Sequence, residues 1–335
     1  MGRAGIRAAT MVSAIALAAL TGCSSENGSE GLQTIEPATP AAAPEVGPAP
    51  AGDVRPLDTA IASLVVEPGT GTLAALSLDG AQVLLFDDAT ATPRTVDLPS
   101  TATTLAPGPA GTVLAPAAGF VARVDVADGR VEEVLVDATA VSVAVLQDGT
   151  WLVGTDDGRV LLVDPATGDR TGSIGGLASA DAFAVTDDGV AVLDRRQTSL
   201  TELDLDDRRL GAALRAGDGA TQLVTDPFGR VTVTDTTDGE LLVYTLDTIM
   251  LRQRYPVGPA PYAVTYDGTR DLVWVTLTGS NEVVGYDLST GIPQERHRFA
   301  TVRQPNSIAV DPDDAALVIA SATGDGLQRI PIEGQ

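Results

Sequence analysis

Residues 271–291 read DLVWVTLTGSNEVVGYDLSTG, in which two apolar runs flank a polar tip and a second turn follows. Apolar runs that end in a turn recur about every 40 residues, starting at Ser63, Thr104, Ser142, Ala182, Gln222, Tyr262 and Ser307. The end of a later run has the same period, at Asp87, Asp125, Asp164, Asp204, Thr245 and Asp287. Two landmarks with one period indicate an internal repeat, built either of helical pairs or of four-stranded units.

The residue types favour strands. The runs are short and rich in Val, Leu, Thr and Ile, and Asp-Gly pairs, which suit tight hairpin turns, separate many of them. No stretch long enough for a helix has a 3.6-residue period. One repeat divides into strands at 142–146, 151–155, 159–164 and 170–175. The sequence therefore predicts an all-β fold, a seven-bladed β-propeller of four-stranded blades over residues 54–335.

The two ends of this region indicate how the ring closes. The last repeat ends in IPIEGQ without a fourth strand, and RPLDTAI (55–61) precedes the first repeat with no local partner. We expect this N-terminal strand to complete the last blade, which would also remove exposed strand edges.

The N-terminus has the features of a bacterial lipoprotein signal over residues 1–22. Arg3 and Arg7 precede an apolar stretch, MVSAIALAAL (11–20), that is too short to span a membrane. Leu-Thr-Gly-Cys (20–23) then resembles a lipobox, which implies that Cys23 is lipidated, for example by palmitate. An ordinary secretory signal with an incidental cysteine is the alternative. Cys23 is the only cysteine in the chain, so no disulfide can form within it.

Residues 23–53 are rich in Pro, Ala, Gly and Glu, a composition that favours disorder. We expect a disordered tether that starts at Cys23 and holds the propeller off the membrane. The predicted location is the extracytoplasmic face of the cell membrane, with the membrane as a partner through the lipid.

The charge of the chain restricts its partners. It has 335 residues with 21 arginines, no lysine and 45 acidic residues, for a formal net charge of −24. Nucleic acid is excluded as a partner because its phosphates would be repelled, and the same charge favours a monomer. A local reversal occurs in the predicted outer strands, which contain Arg252, Arg254, Arg296, Arg298 and Arg303. The functional interpretation of these arginines is contact with an anionic lipid or polymer. The alternative is the ordinary polarity of edge strands, which commonly carry charged residues.

The sixth repeat resembles a known family. The pattern VWVT…SNEVVGYDLSTG (273–291) is similar to the YVTN-type propeller repeat, and RVLLVDPATG (159–168) and PNSIAVDPDD (305–314) resemble other pieces of its consensus. Leu277 follows Thr276 where the family has Asn. The resemblance implies a secreted or surface propeller with a binding or scaffold role more than a reaction.

The residue before each inner strand is expected to face the mouth of a central channel. These residues are Ala62, Thr103, Val141, Asp181, Thr221, Pro261 and Asn306. Thr103, Asp181, Thr221 and Asn306 are the polar ones and are the candidate ligand-binding residues.

A metal site is the alternative interpretation. PNSIA (305–309) also resembles a motif of gluconolactonase-like propellers, in which the Asn holds a divalent metal. That resemblance implies a metal-dependent hydrolase with Asp181 and Asn306 as calcium ligands, although the family needs further carboxylates from other blades.

Nucleophilic catalysis finds little support. His297 is the only histidine, and its place on a predicted outermost strand separates it from any channel. We therefore expect no enzymatic activity, no cofactor and no catalytic residues. The predicted function is recognition of an envelope protein or glycan.

Overall fold

A computed structural model describes residues 1–2, 32–45, 47–87, 92–311 and 315–332 of the chain. No helix occurs in these residues, and the fold is all-β as predicted. The strands of the first half are β1 Asp53–Arg55, β2 Ile61–Val66, β3 Leu73–Ser77, β4 Gln82–Phe86, β5 Arg94–Asp97, β6 Ala106–Pro107, β7 Thr112–Asp125, β8 Val131–Val145, β9 Trp151–Thr155, β10 Val160–Val163, β11 Arg170–Ile174, β12 Ala182–Thr186 and β13 Gly189–Asp194. Those of the second half are β14 Ser199–Asp204, β15 Arg209–Arg215, β16 Ala220–Thr225, β17 Arg230–Asp235, β18 Glu240–Thr245, β19 Met250–Pro256, β20 Pro261–Asp267, β21 Leu272–Leu277, β22 Glu282–Asp287, β23 Gln294–Ala300, β24 Pro305–Val310, β25 Leu317–Ser321 and β26 Leu327–Ile330.

The described strands form six sheets, so the prediction of seven four-stranded blades is wrong. Four sheets are simple antiparallel meanders, β2–β5, β12–β15, β16–β19 and β20–β23, and a fifth has the order β1-β26-β25-β24. The sixth contains six strands in the order β11-β10-β9-β8-β7-β6. Counted by hydrogen-bonded sheets, the propeller has six blades.

The shared sheet has a cause in the sequence. Residues 131–145, VEEVLVDATAVSVAV, contain no Gly, Pro or Asn, the residues that most readily adopt the positive φ or fixed φ of a tight turn, and one strand spans the join between the second and third repeats. Strand β8 pairs with β7 through its first part and with β9 through its last, with a register shift between Ala140 and Ser142. Strand β7 turns back on itself at Gly119, which has a φ of 87°, and the Val126 N–H donates to the carbonyl of Gly111 at 2.9 Å, so its two halves form a hairpin within the same sheet. The two repeats therefore merge into one blade.

The N-terminal strand lies in the last sheet, where β1 pairs with β26 and Val54 is opposite Gln328. Of the stretch 55–61 that was predicted to do this, only Arg55 belongs to β1. Apolar side chains of the first and last sheets, including Ile61 and Val318, share one buried cluster. The ring is thus closed by hydrogen bonds within a sheet and by packing between sheets.

The interior strands of the sheets are the most deeply buried. Strands β3, β9, β21 and β25 are buried at every residue, because neighbouring blades cover both of their faces. The largest fully buried side chains, Trp151 and Trp274, lie on two of these strands. This rigid packing positions the first strands of the repeats around the axis.

Candidate functional site: the axial channel and its mouth

A cavity of about 780 Å³ lies among the first strands of the repeats. Its wall combines aliphatic side chains with hydroxyl, amide or aromatic side chains at Ser63, Thr103, Thr104, Ser142, Phe183, Thr221, Gln222, Thr225, Tyr262 and Ser307. Asp181 and Arg195 are the charged residues among the described ones that line it. The cavity therefore offers hydrogen-bonding groups and aromatic surface, with one carboxylate and one guanidinium group among its lining side chains.

Asp181 lies at the mouth, as predicted, but its carboxylate already has partners. Its Oδ2 atom accepts hydrogen bonds from the Ser179 hydroxyl and from the backbone N–H of Arg195, at 2.7 Å for the latter. Burial raises the pKa of Asp181 above its ordinary value, while these two hydrogen bonds oppose the rise. The carboxylate links two loops of one blade.

Asn306 is not among the residues that line the cavity. Its Oδ1 atom accepts a hydrogen bond from Nε2 of Gln304 at 2.9 Å, so its side chain orients that glutamine. Oδ2 of Asp181 and Oδ1 of Asn306 are thus engaged with protein donors. This arrangement does not favour the metal interpretation, because a calcium site needs six to eight oxygen ligands.

The two predicted threonines differ in accessibility. Thr103 is exposed at the mouth, and its hydroxyl donates to the carbonyl of Val141 at 3.0 Å. Thr221 is buried, with its hydroxyl 3.0 Å from that of Thr234 and 2.8 Å from that of Thr236. Thr103 is the better placed of the two to meet a ligand.

Among the residues of the cavity wall that sequence reasoning did not single out are Arg195 and Ser307. The Nε atom of Arg195 and the Oγ atom of Ser307 are buried and have no hydrogen-bond partner among the described residues. Buried donors without partners are uncommon. Ser307 starts the apolar run of its repeat, as Ser63, Thr104 and Ser142 do, and all four line the cavity, so the repeat register could have identified it. Arg195 lies in a turn and gave no signal.

A segment of the predicted tether crosses this face of the propeller. We call residues 35–44, IEPATPAAAP, the strap. Its Ile35 N–H donates to the carbonyl of Arg196 at 2.8 Å, and its Ala43 side chain is buried. This differs from the disordered tether that was expected there. Residues 23–31 and 46 of the predicted tether lie outside the described residues, as does most of the predicted signal segment.

Three side chains of the propeller hold the strap by its backbone. Arg195 Nη2 donates to the carbonyl of Ala38 at 2.6 Å, and Gln304 Nε2 donates to that of Ala41 at 2.9 Å. Asn281 Nδ2 donates to the carbonyl of Pro44 at 2.9 Å. Because Arg195 also lines the cavity, the strap reaches the mouth of the channel.

One group of acids has a spacing that could suit a metal ion, Asp235, Asp238 and Glu240. The carboxylate of Asp235 accepts hydrogen bonds from the backbone N–H groups of Asp218, Gly219, Thr237 and Asp238. Arg254 pairs with both Asp238 and Glu240. These acids therefore have structural partners and tie the loops of their blade together.

The arginines of the outer strands also have acidic partners. Arg252, Arg254, Arg296 and Arg298 each pair with a carboxylate, and Arg296 lies 2.6 Å from Asp287. This agrees with ordinary edge-strand polarity. His297 lies on β23, an outermost strand as predicted, but it is half-buried and packs its ring against those of Trp274 and Phe299, which also contact each other.

Cys23, the predicted lipidation site, lies outside the described residues. Within the described part of the chain, no helix has the length and apolar character to cross a membrane.

Comparison with known proteins supports the fold alone. No protein-family profile matches the sequence, and no curated protein is similar to it in sequence. Among solved structures, the chain is similar to hydrazine synthase from Kuenenia stuttgartiensis, with a TM-score of 0.71 and 15% identity over 84% of this chain and 98% of that one. It is also similar to the Cps50 (Swd1) β-propeller domain from Myceliophteria thermophila, with a TM-score of 0.71 and 14% identity over 84% and 100%. A catalytically inactive variant of virginiamycin B lyase from Staphylococcus aureus, solved with quinupristin, gives a TM-score of 0.70 and 13% identity over 84% and 99%. At these identities the chain is shown to have the β-propeller fold.

Proposed function

We propose that this protein is a non-catalytic binding propeller that recognises a protein or glycan of the cell envelope through its axial channel. One observation carries the proposal: a cavity of about 780 Å³ among the first strands of the repeats is lined by polar side chains that include Thr103, Arg195 and Gln222. Oxygen atoms of a ligand would accept hydrogen bonds from them, and Phe183 and Tyr262 add aromatic surface.

The chemistry of the wall supports binding over reaction. Asp181, the acid of the cavity, is engaged with Ser179 and Arg195, so it is poorly placed to take a proton from a substrate. His297, the lone histidine, lies on an outer strand and stacks on Trp274. The proposal therefore includes no catalytic residue and no cofactor.

The proposal also includes the envelope location and the family. Lipidated Cys23 would anchor the protein at the extracytoplasmic face of the membrane, as a monomer. The hairpin of β21 and β22, which carries the YVTN-like pattern, turns at Asn281 with a φ of 53°. This supports a divergent member of the YVTN-repeat propellers.

Binding can be tested by thermal unfolding of the full-length protein. The probes are polysaccharide and detergent-solubilised protein fractions from the envelope of the producing bacterium. A ligand at 100 times its Kd adds about 2.7 kcal/mol of stability. We expect one fraction to raise the midpoint for the wild type and not for Arg195→Ala or Ser307→Ala. A midpoint that neither fraction changes would contradict the proposal.

The same assay tests the calcium-dependent hydrolase. Millimolar calcium added after EDTA would raise the midpoint if Asp181 and Asn306 bound the ion, and Asp181→Ala or Asn306→Ala would abolish the rise. The anchor is tested separately by detergent phase partitioning. The wild type is expected in the detergent phase and Cys23→Ser in the aqueous phase.

A further inference from the structure

The strap meets the propeller through carbonyl groups at a regular interval. The three accepting carbonyls belong to Ala38, Ala41 and Pro44, which are three residues apart. A polyproline II helix has three residues per turn and a rise of about 3.1 Å per residue, so carbonyls at i, i+3 and i+6 lie on one side of it. The three-residue spacing of the accepting carbonyls is therefore the spacing expected when a surface contacts one side of a polyproline II helix.

The sequence of the strap favours this conformation. Pro37, Pro40 and Pro44 fix their own φ angles and restrict the residues before them to extended backbone. The remaining residues of 38–43 are alanines and one threonine, which are small enough for close approach. Ala38 comes so close to Gly219 that a Cβ atom on that glycine would lie 2.9 Å from the Ala38 Cβ.

The side chains that hold the strap are themselves held in place. Gln304 bonds the strap twice, because its Oε1 atom also accepts from the N–H of Ala43 at 2.9 Å. Its Nε2 atom is oriented by Asn306, and its backbone N–H donates to Oδ1 of Asn281 at 3.1 Å. Asn281 and Gln304 both have left-handed backbone, each with a φ of 53°. The propeller thus supports these side chains in fixed positions.

We propose that Arg195, Asn281 and Gln304 form a binding site for polyproline II polypeptide at the channel mouth, which the strap occupies in cis. The site contacts the strap mainly through its backbone, so it accepts other extended segments rich in proline and alanine. The strap therefore acts as an intramolecular competitor for that site. This inference goes beyond the proposed function, since it holds whichever ligand enters the cavity.

The experiment uses the full-length protein and a fluorescent synthetic peptide of residues 33–45, QTIEPATPAAAPE. The variant Ala43→Arg places a long charged side chain where Ala43 is 6% exposed, and should release the strap. Ala42→Arg is the matched control, because Ala42 is exposed. Hydrogen exchange of residues 35–44 reports release, and fluorescence anisotropy reports peptide binding.

We expect Ala43→Arg to bind the peptide at least about tenfold more tightly than the wild type or Ala42→Arg, because a tethered competitor acts at an effective concentration near millimolar. Adding Gln304→Ala to Ala43→Arg should remove most of that gain. A peptide with glycine in place of its prolines should bind more weakly. Unchanged exchange of residues 35–44 in Ala43→Arg would contradict the seating of the strap. A released strap without peptide binding would contradict the site.

Folding of each variant is checked by its thermal midpoint. Should Ala43→Arg unfold the propeller, the triple substitution Pro37→Gly, Pro40→Gly and Pro44→Gly replaces it, since it removes no side chain of the propeller. The same two outcomes then decide the proposal.

Discussion

Gln304 accepts a hydrogen bond from the backbone N–H of Ala43 through Oε1, at 2.9 Å. Replacing Gln304 by Ala removes this bond and the one to the Ala41 carbonyl. Each is worth about 0.5–1.5 kcal/mol, so we expect the Ala43 amide to exchange about tenfold faster. Exchange measured by NMR checks this. Gln294→Ala, on an exposed outer strand, should leave the rate unchanged, and equal rates in both variants would contradict the role of Gln304.

Asp181 should make the stability of the protein depend on pH. Because burial raises its pKa, the folded protein holds this proton more tightly than the unfolded chain does. The contribution of Asp181 to stability therefore falls as pH rises above the ordinary value of 3.8. Asp181→Asn keeps an oxygen that can accept from Ser179 and Arg195 and has no such dependence.

We expect Asp181→Asn to gain stability relative to the wild type between pH 4 and pH 7. Urea denaturation at both pH values measures the difference. If the difference in unfolding free energy between Asp181→Asn and the wild type were the same at pH 4 and pH 7, the Asp181 carboxyl would titrate as in the unfolded chain, and the prediction would be wrong.

Asp287 should behave in the opposite way. Hydrogen bonds from Ser289 and the pairing with Arg296 lower its pKa to about 2. Its contribution to stability is therefore present above the ordinary value of 3.8 and is lost as pH falls through about 2. In Arg296→Gln, an NMR titration of the Asp287 carboxyl should show its pKa closer to 3.8. An unchanged titration would assign the shift to Ser289 alone.

Gly285 lies against the ring of the buried Trp274. A Cβ atom at position 285 would be 2.8 Å from Cζ3 of the indole, so Gly285→Ala forces the ring or the strand to move. We expect it to lower the free energy of unfolding by about 1–3 kcal/mol in urea denaturation. Gly175→Ala is the control, because its nearest neighbouring atom would be 3.8 Å away. A change below about 0.5 kcal/mol is expected there.

The repeat period predicted the propeller because each blade needs the same alternation of buried strands and turns. The blade count failed at residues 131–145, which contain no Gly, Pro or Asn, and where strand pairing continues from one repeat into the next. A period counts repeats of sequence, whereas hydrogen bonds decide where one sheet ends.

The channel mouth was predicted in part. Thr103, Asp181 and Thr221 line the cavity because they lie at or just before the starts of the first strands, but Arg195 reaches it from a loop whose position no local pattern reveals. The strap was missed for a different reason. Its composition is that of a linker, and its hydrogen bonds use backbone atoms, which leave no pattern in the side chains.

The pairing of β1 with β26 has a consequence for how the chain folds. The ribosome makes β1 before every other strand of the propeller and β26 after them, so the final sheet cannot assemble until β26 has left the ribosome. Such long-range pairing slows folding and leaves an open strand edge exposed in the meantime. The nascent protein is therefore most vulnerable to aggregation just before its first and last strands meet.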